Sequence, residues 1–178
     1  MNADDPKPTG FDKSSPDLNQ FRRTFESKYG ETFNLRPSDI EDFERLLYMF
    51  DSFEPKEAAQ GLPSCNEESR KTWVRKMLLE SIIVVSDING EIAGHACLID
   101  IEPGIRAELE IMVHQTWRNR GFGSAMLELI LEIARHLGYK RVWLVVDAKN
   151  SIAVHVYRKH GFKLVGPFDL ELELELEL

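Results

Sequence analysis

An apolar strand pattern runs without a linker into Arg118-Asn119-Arg120-Gly121-Phe122-Gly123-Ser124, and an amphipathic helical pattern starts at once. This junction restricts the fold more than any other stretch of the chain. The first backbone N–H groups of a helix have no intrahelical partner, and the helix dipole adds positive charge there. Gly121 and Gly123 carry no Cβ, so a ligand can approach the main chain closely. The amides from Asn119 to Ser124 are therefore expected to hold an anion, and a diphosphate suits a row of that kind.

Around the junction, strands and helices alternate. Residues 32–36 read as a first strand stopped by Pro37. Ser38, with Glu41 three residues on, reads as a capping box for a helix whose apolar face is Ile40, Phe43, Leu46, Leu47 and Phe50. Residues 67–79 carry a second helical pattern. Asn89-Gly90 joins 82–86 to 91–100 as a hairpin. A strand over 106–114 leads into the glycine turn, and Gly138 closes a helix over 122–137. The unbroken apolar run from Val142 to Val146 marks a strand inside the sheet. A helix over 151–160 and a short strand over 162–165 follow, and the whole pattern gives an α/β fold with a mixed sheet.

The two ends read differently. Residues 1–30 are set apart as an extension, 1–18 disordered by composition and 19–29 a short helix ending at Gly30. The domain is expected over 31–168. From Asp169 to Leu178 acid and leucine alternate strictly, which in a strand puts every leucine on one face. A final edge strand is expected there, and such an edge would let two copies pair as a homodimer.

At 178 residues and 43% hydrophobic content, the chain can bury one real core. No apolar run approaches a membrane span, and the N-terminus does not read as a signal peptide. The net charge is −8, but five of those charges sit in the last ten residues. The body is thus mildly acidic, which argues against a nucleic-acid partner and favours a cationic substrate such as an amine. Cys65 and Cys97 are far apart in no metal-ligand spacing, so no metal is expected, and they read as reduced thiols of a cytoplasmic protein.

Two familiar phosphate-binding patterns fail. A P-loop needs Gly-Lys-Ser/Thr, and the dinucleotide fingerprint needs a glycine where Met126 stands. What remains, Arg/Gln-x-x-Gly-x-Gly/Ala after an apolar strand, resembles the GNAT N-acetyltransferase superfamily, whose members bind the diphosphate of acyl-CoA at this turn. A second block, with Asn150, Ala153, Tyr157 and Gly161-Phe162, matches the family's closing motif in order and spacing. Leu35-Arg36-Pro37 also looks like its first strand. The resemblance covers 32–166. It implies the GNAT acyltransferase fold, a central mixed, mostly antiparallel sheet flanked by helices. It also implies an enzyme that moves an acetyl group from acetyl-CoA to a primary amine by direct attack. The acceptor would be a protein lysine, a protein N-terminus or a small amine. The alternative is a module that holds acyl-CoA as a sensor without turning it over.

The resemblance also implies roles for individual residues. Ile111, Met112 and Val113 would pair with pantetheine through their main chain, one N–H polarising the thioester carbonyl. The backbone N–H groups of Asn119, Arg120, Gly121, Phe122, Gly123 and Ser124 would take the diphosphate, with Arg118 and Arg120 adding charge or remaining solvated. Asn150 would touch the cofactor, although its place before Ser151 equally suits a helix N-cap. Tyr157 matches the usual general acid, and packing alone would also explain a tyrosine there. The ribosomal-protein N-terminal acetyltransferases carry a base at the position of Val145, so that device is missing. The strand from Ala107 to Val113 is similar to the Ala-Glu-x-x-x-x-Val strand of lysine acetyltransferases, which implies Glu108 as general base. Glu110 on the same strand face and bulk water are the competitors.

Overall fold

The computed structural model describes residues 17–54 and 66–178. Residues 1–16 of the stretch read as disordered, and Cys65, lie outside these residues. Eight strands form one sheet: β1 (Arg23–Glu26), β2 (Thr32–Pro37), β3 (Ile82–Ile88), β4 (Glu91–Glu102), β5 (Arg106–Val113), β6 (Arg141–Asp147), β7 (Lys163–Leu164) and β8 (Glu171–Glu177). Among the described residues four α-helices accompany them: α1 (Phe43–Asp51), α2 (Glu67–Glu80), α3 (Phe122–His136) and α4 (Ser151–Lys159). The spatial order is β1-β2-β3-β4-β5-β6-β8-β7. Every neighbouring pair is antiparallel except β5–β6. Among the described residues no helix is long and apolar enough to cross a membrane.

Strand alternation divides the interior in two. On one face of the sheet Leu35, Val84, Leu98 and Leu109 pack with α3, whose Met126, Ile130 and Ile133 are fully buried. On the other face Val85, Cys97 and Met112 pack under α1 and α2 through Leu46, Phe50, Val74 and Met77. The β3–β4 hairpin turns at Asn89 and Gly90 (φ 53° and 86°), the left-handed pair that matches strand twist.

The split that makes the site follows from one parallel pairing. Parallel neighbours need a crossover, here the glycine turn and α3. β5 and β6 pair only from Arg106↔Arg141 to Glu108↔Trp143, and no register continues beyond. The strands part there, leaving a cleft at their C-terminal ends, the usual ligand position in such sheets.

Several expectations are corrected. Residues 19–29 are not a helix: a 3₁₀ turn (Leu18–Phe21) leads into β1, which pairs with β2. Burying Phe21 in the core and stacking Phe25 on Phe33 (5.8 Å) outweighs local helical tendency, so ordered packing starts ahead of residue 31. Asp39, not Ser38, caps the turn before α1, and Asp42, not Glu41, completes the box. Ile40 falls in that 3₁₀ turn and is 59% exposed. The run from Val142 to Val146 does form a strand inside the sheet, β6 between β5 and β8, and is buried on alternate residues. β8 is indeed a strand, but it lies between β6 and β7 instead of at the free edge. Leu172, Leu174 and Leu176 are buried in the α3-side core.

Candidate active site

The cleft encloses about 1010 Å³ between β5, the α3 turn, α4 and the ends of β6 and β8. Its floor on one side is β5. The His114 N–H donates to the Ala93 carbonyl (2.9 Å), continuing the β4–β5 register that runs from Gly94↔Val113 to Asp100↔Ala107. Backbone groups alternate sides in an antiparallel ladder, so Met112 and Glu110 turn theirs to β4 while Ile111 and Val113 turn theirs to the cleft. The Val113 carbonyl accepts from Arg118 Nε (3.2 Å) on that open side. Of the three residues expected to offer main chain, Ile111 and Val113 are placed for it. Met112 is not, because its backbone belongs to the ladder with β4.

The start of α3 forms the second wall. Gly121 takes φ 99°, a left-handed conformation that suits glycine, and Asn119 takes φ 61°. Among the described residues no side chain caps the first amides of α3, and its first turn holds no acid. By contrast, α2 and α4 begin with Asn66 and Asn150 bonding their opening amides. The α3 amides are therefore left for a ligand, and their donor chemistry fits phosphate oxygens. Arg118, Asn119, Gly121, Phe122, Gly123 and Ser124 all line the cleft. Arg120 does not: it is ion-paired with Glu31 and lies over the rings of Trp117 and Tyr29 (5.0 and 5.7 Å). An arginine neutralised in that way is a strut between the turn and the β1–β2 loop.

Asn150 serves as N-cap, its Oδ1 accepting from the Ala153 N–H (3.2 Å), and it also lines the cleft. Tyr157 is 8% exposed, packs on Phe162 (5.6 Å) and reaches the cleft. Burial pushes its phenol up to about 12, and its hydroxyl has no hydrogen-bond partner among the described residues.

Glu108 and Glu110 share the α1–α2 face of β5, and both line the cleft. They differ in setting. The Oε2 of Glu110 is buried with no hydrogen-bond partner among the described residues. Burial, and then the neighbouring Glu108 carboxylate, push Glu110 up to about 7. A carboxyl tuned in this way can exchange protons near neutral pH. Cys97, opposite Glu110 in β4, is fully buried, and burial pushes its thiol up to about 12, so it is no ready nucleophile.

Lys28 and Glu171 also line the cleft, from the N-terminal hairpin and the alternating tail. Neither lies in a motif block, and no pattern in the sequence points to them.

Fold and cleft together define a class: a mixed α/β protein with a cleft between two parted strands and an uncapped helix start in its wall. The chain belongs to the acetyltransferase (GNAT) family, whose model matches residues 43–162. It is 34% identical over 88 residues to an L-amino acid N-acetyltransferase of Escherichia coli, covering 47% of this chain and 54% of that protein. It is 31% identical over 84 residues to the Escherichia coli spermidine N(1)-acetyltransferase, covering 46% of this chain and 45% of the other. The chain thus spans about half the length of these curated relatives. The GNAT domain of S. lividans PAT superposes with a TM-score of 0.76 at 22% identity, covering 92% of this chain and 99% of that one. The yncA protein of Salmonella typhimurium, solved with acetyl-CoA, gives 0.66 at 18% identity, covering 82% of this chain and 93% of that one. The sheet and its flanking helices are the expected GNAT arrangement.

Proposed function

We propose that the protein is an acetyl-CoA-dependent N-acetyltransferase acting on a primary amine by direct attack. The observation that carries this reading is a convergence on one cleft. Uncapped α3 amides, the open edge of β5 and a carboxyl with pKa about 7 all meet there. The amides of Phe122, Gly123 and Ser124 hold the diphosphate, Ile111 and Val113 align the pantetheine, and Asn150 contacts the same substrate from α4. Relatives named for L-amino acids and for spermidine support an amine acceptor.

Glu110 takes the base role in preference to Glu108. Its raised pKa lets it accept the ammonium proton at neutral pH with far better matching than an ordinary carboxylate. The freed amine nitrogen forms the new C–N bond at the acyl carbon, and the Ile111 N–H stabilises the developing oxyanion. As the C–S bond breaks, the sulfur takes the proton of the Tyr157 hydroxyl, which burial keeps as a neutral phenol. Solvent then reprotonates Tyr157. The free, buried thiol of Cys97 fits a reducing cytoplasm.

The test is CoA release from acetyl-CoA over polyamines, amino acids and lysine peptides, with products identified by mass. One acetylated amine per CoA is expected, and Tyr157→Phe should lower kcat about 100-fold. Acetyl-CoA binding with no amine turned over would make the chain a sensor, and no binding would end the reading.

A further inference from the structure

Among the described residues, two cationic side chains line the cleft: Lys28 and Arg118. Arg118 is already engaged. Besides the Val113 carbonyl, it donates from Nη2 to the Glu54 carbonyl (3.0 Å) and lies 5.1 Å from the Phe53 ring centroid. Lys28 is exposed and makes no ion pair among the described residues; its Nζ rests only over the ring of its neighbour Tyr29, at 5.0 Å.

The backbone of Lys28 is nonetheless fixed. Ser27 N–H donates to the Glu31 carbonyl (2.7 Å), Gly30 N–H to the Ser27 carbonyl (3.0 Å), and Ser27 Oγ to the Glu31 carboxylate (2.7 Å). That carboxylate also holds Arg120. Lys28 N–H itself donates to the Arg120 carbonyl (3.4 Å), the residue just before Gly121. The β1–β2 loop is thus anchored to the turn that bares the α3 amides, with the Lys28 ammonium at the solvent side of the cleft.

Resting on the acyl-CoA reading above, we infer that Lys28 holds the ribose 3′-phosphate of coenzyme A and so selects CoA over its 3′-dephospho form. The α3 amides already supply donors for the diphosphate. A 3′-phosphate is close to doubly charged at neutral pH, so a cation beside it strengthens binding. A flexible ammonium serves as a point charge for such a group without demanding paired geometry.

Calorimetric titration of the full chain and of Lys28→Met, each with CoA and with 3′-dephospho-CoA, tests the assignment. The substitution should weaken CoA binding about fivefold and leave 3′-dephospho-CoA unchanged. Lys28→Arg should retain the preference for CoA. Equal loss for both ligands would put Lys28 on the diphosphate, and no loss for either would leave it a solvated lysine; both results overturn the inference. Should the unsubstituted chain bind neither ligand, the acyl-CoA reading falls and takes this inference with it.

Discussion

At Gly94 the structure leaves no space for even one methyl group. A Cβ there would lie 2.5 Å from the Met112 carbonyl oxygen and 3.1 Å from Val113 Cα. Gly94→Ala should therefore lower stability by about 1–3 kcal/mol in denaturant titration, because backbone cannot give way cheaply. Gly123 is different: an added Cβ would meet only Val113 Cγ2, at an ordinary 3.6 Å. Gly123→Ala should fold as well as the parent but raise the KM for acetyl-CoA about tenfold, since its methyl would stand where the ligand approaches. The two carboxylates of β5 separate on pH. Glu110→Gln should cut kcat/KM about 100-fold and abolish the acid limb near pH 7. Glu108→Gln should keep most activity and move that limb to lower pH, because the like charge that helps raise Glu110 is gone. Folding carries the same signature. A pKa raised in the folded state contributes stability below the unfolded value and loses it as pH rises through about 7. Glu110→Gln should accordingly be the more stable protein at pH 8.

Helix α1 is held to the sheet by charge as well as by its apolar face. Asp42 is 2% exposed and accepts from both Nη atoms of Arg36 on β2, each at 2.7 Å. Arg45 bridges Asp42 (3.2 Å) to Asp87 on β3 (2.5 Å). Burial alone would raise the Asp42 carboxyl, but Arg36 and the Asp39 backbone N–H outweigh it and hold the group below the usual range. The stability it confers is present above the unfolded aspartate pKa of about 4 and is lost as pH falls through the lower folded value. Asp42→Asn should cost about 3 kcal/mol at pH 7 by leaving Arg36 half-paired in a dry site, measured by thermal or denaturant unfolding. Because α1 ends beside Phe53, which lines the cleft, the loss should also raise the acceptor KM.

In the whole molecule, the alternating tail is the strand that completes the sheet. All seven residues of β8 pair with β6, Arg106 is ion-paired with Glu175 (2.7 Å), and three leucines enter the core. Deleting residues 169–178 would expose β6, which forms one side of the cleft. Truncation should give a protein that unfolds at much lower denaturant and fails to bind CoA by calorimetry. A truncated chain of unchanged stability and binding would refute that account.

The sequence by itself determined the elements from residue 31 onward and the glycine turn before α3, because both are written locally. Periodicity fixes which faces are apolar, and Arg118 to Ser124 carries its own backbone requirement in two glycines. It also brought Glu108, Glu110, Asn150 and Tyr157 forward as candidates, by their spacing within two motif blocks. Only the tertiary structure gives each of them its surroundings. Whether a carboxyl is pushed up to about 7 depends on its burial and its neighbours, and Glu110 acquires both conditions from its place in the sheet and from Glu108. Likewise, Arg120 is taken out of the cleft, and Lys28 brought to it, by a hairpin nearly a hundred residues upstream of the turn. Long-range pairing energy sets such placements, and no local pattern records it.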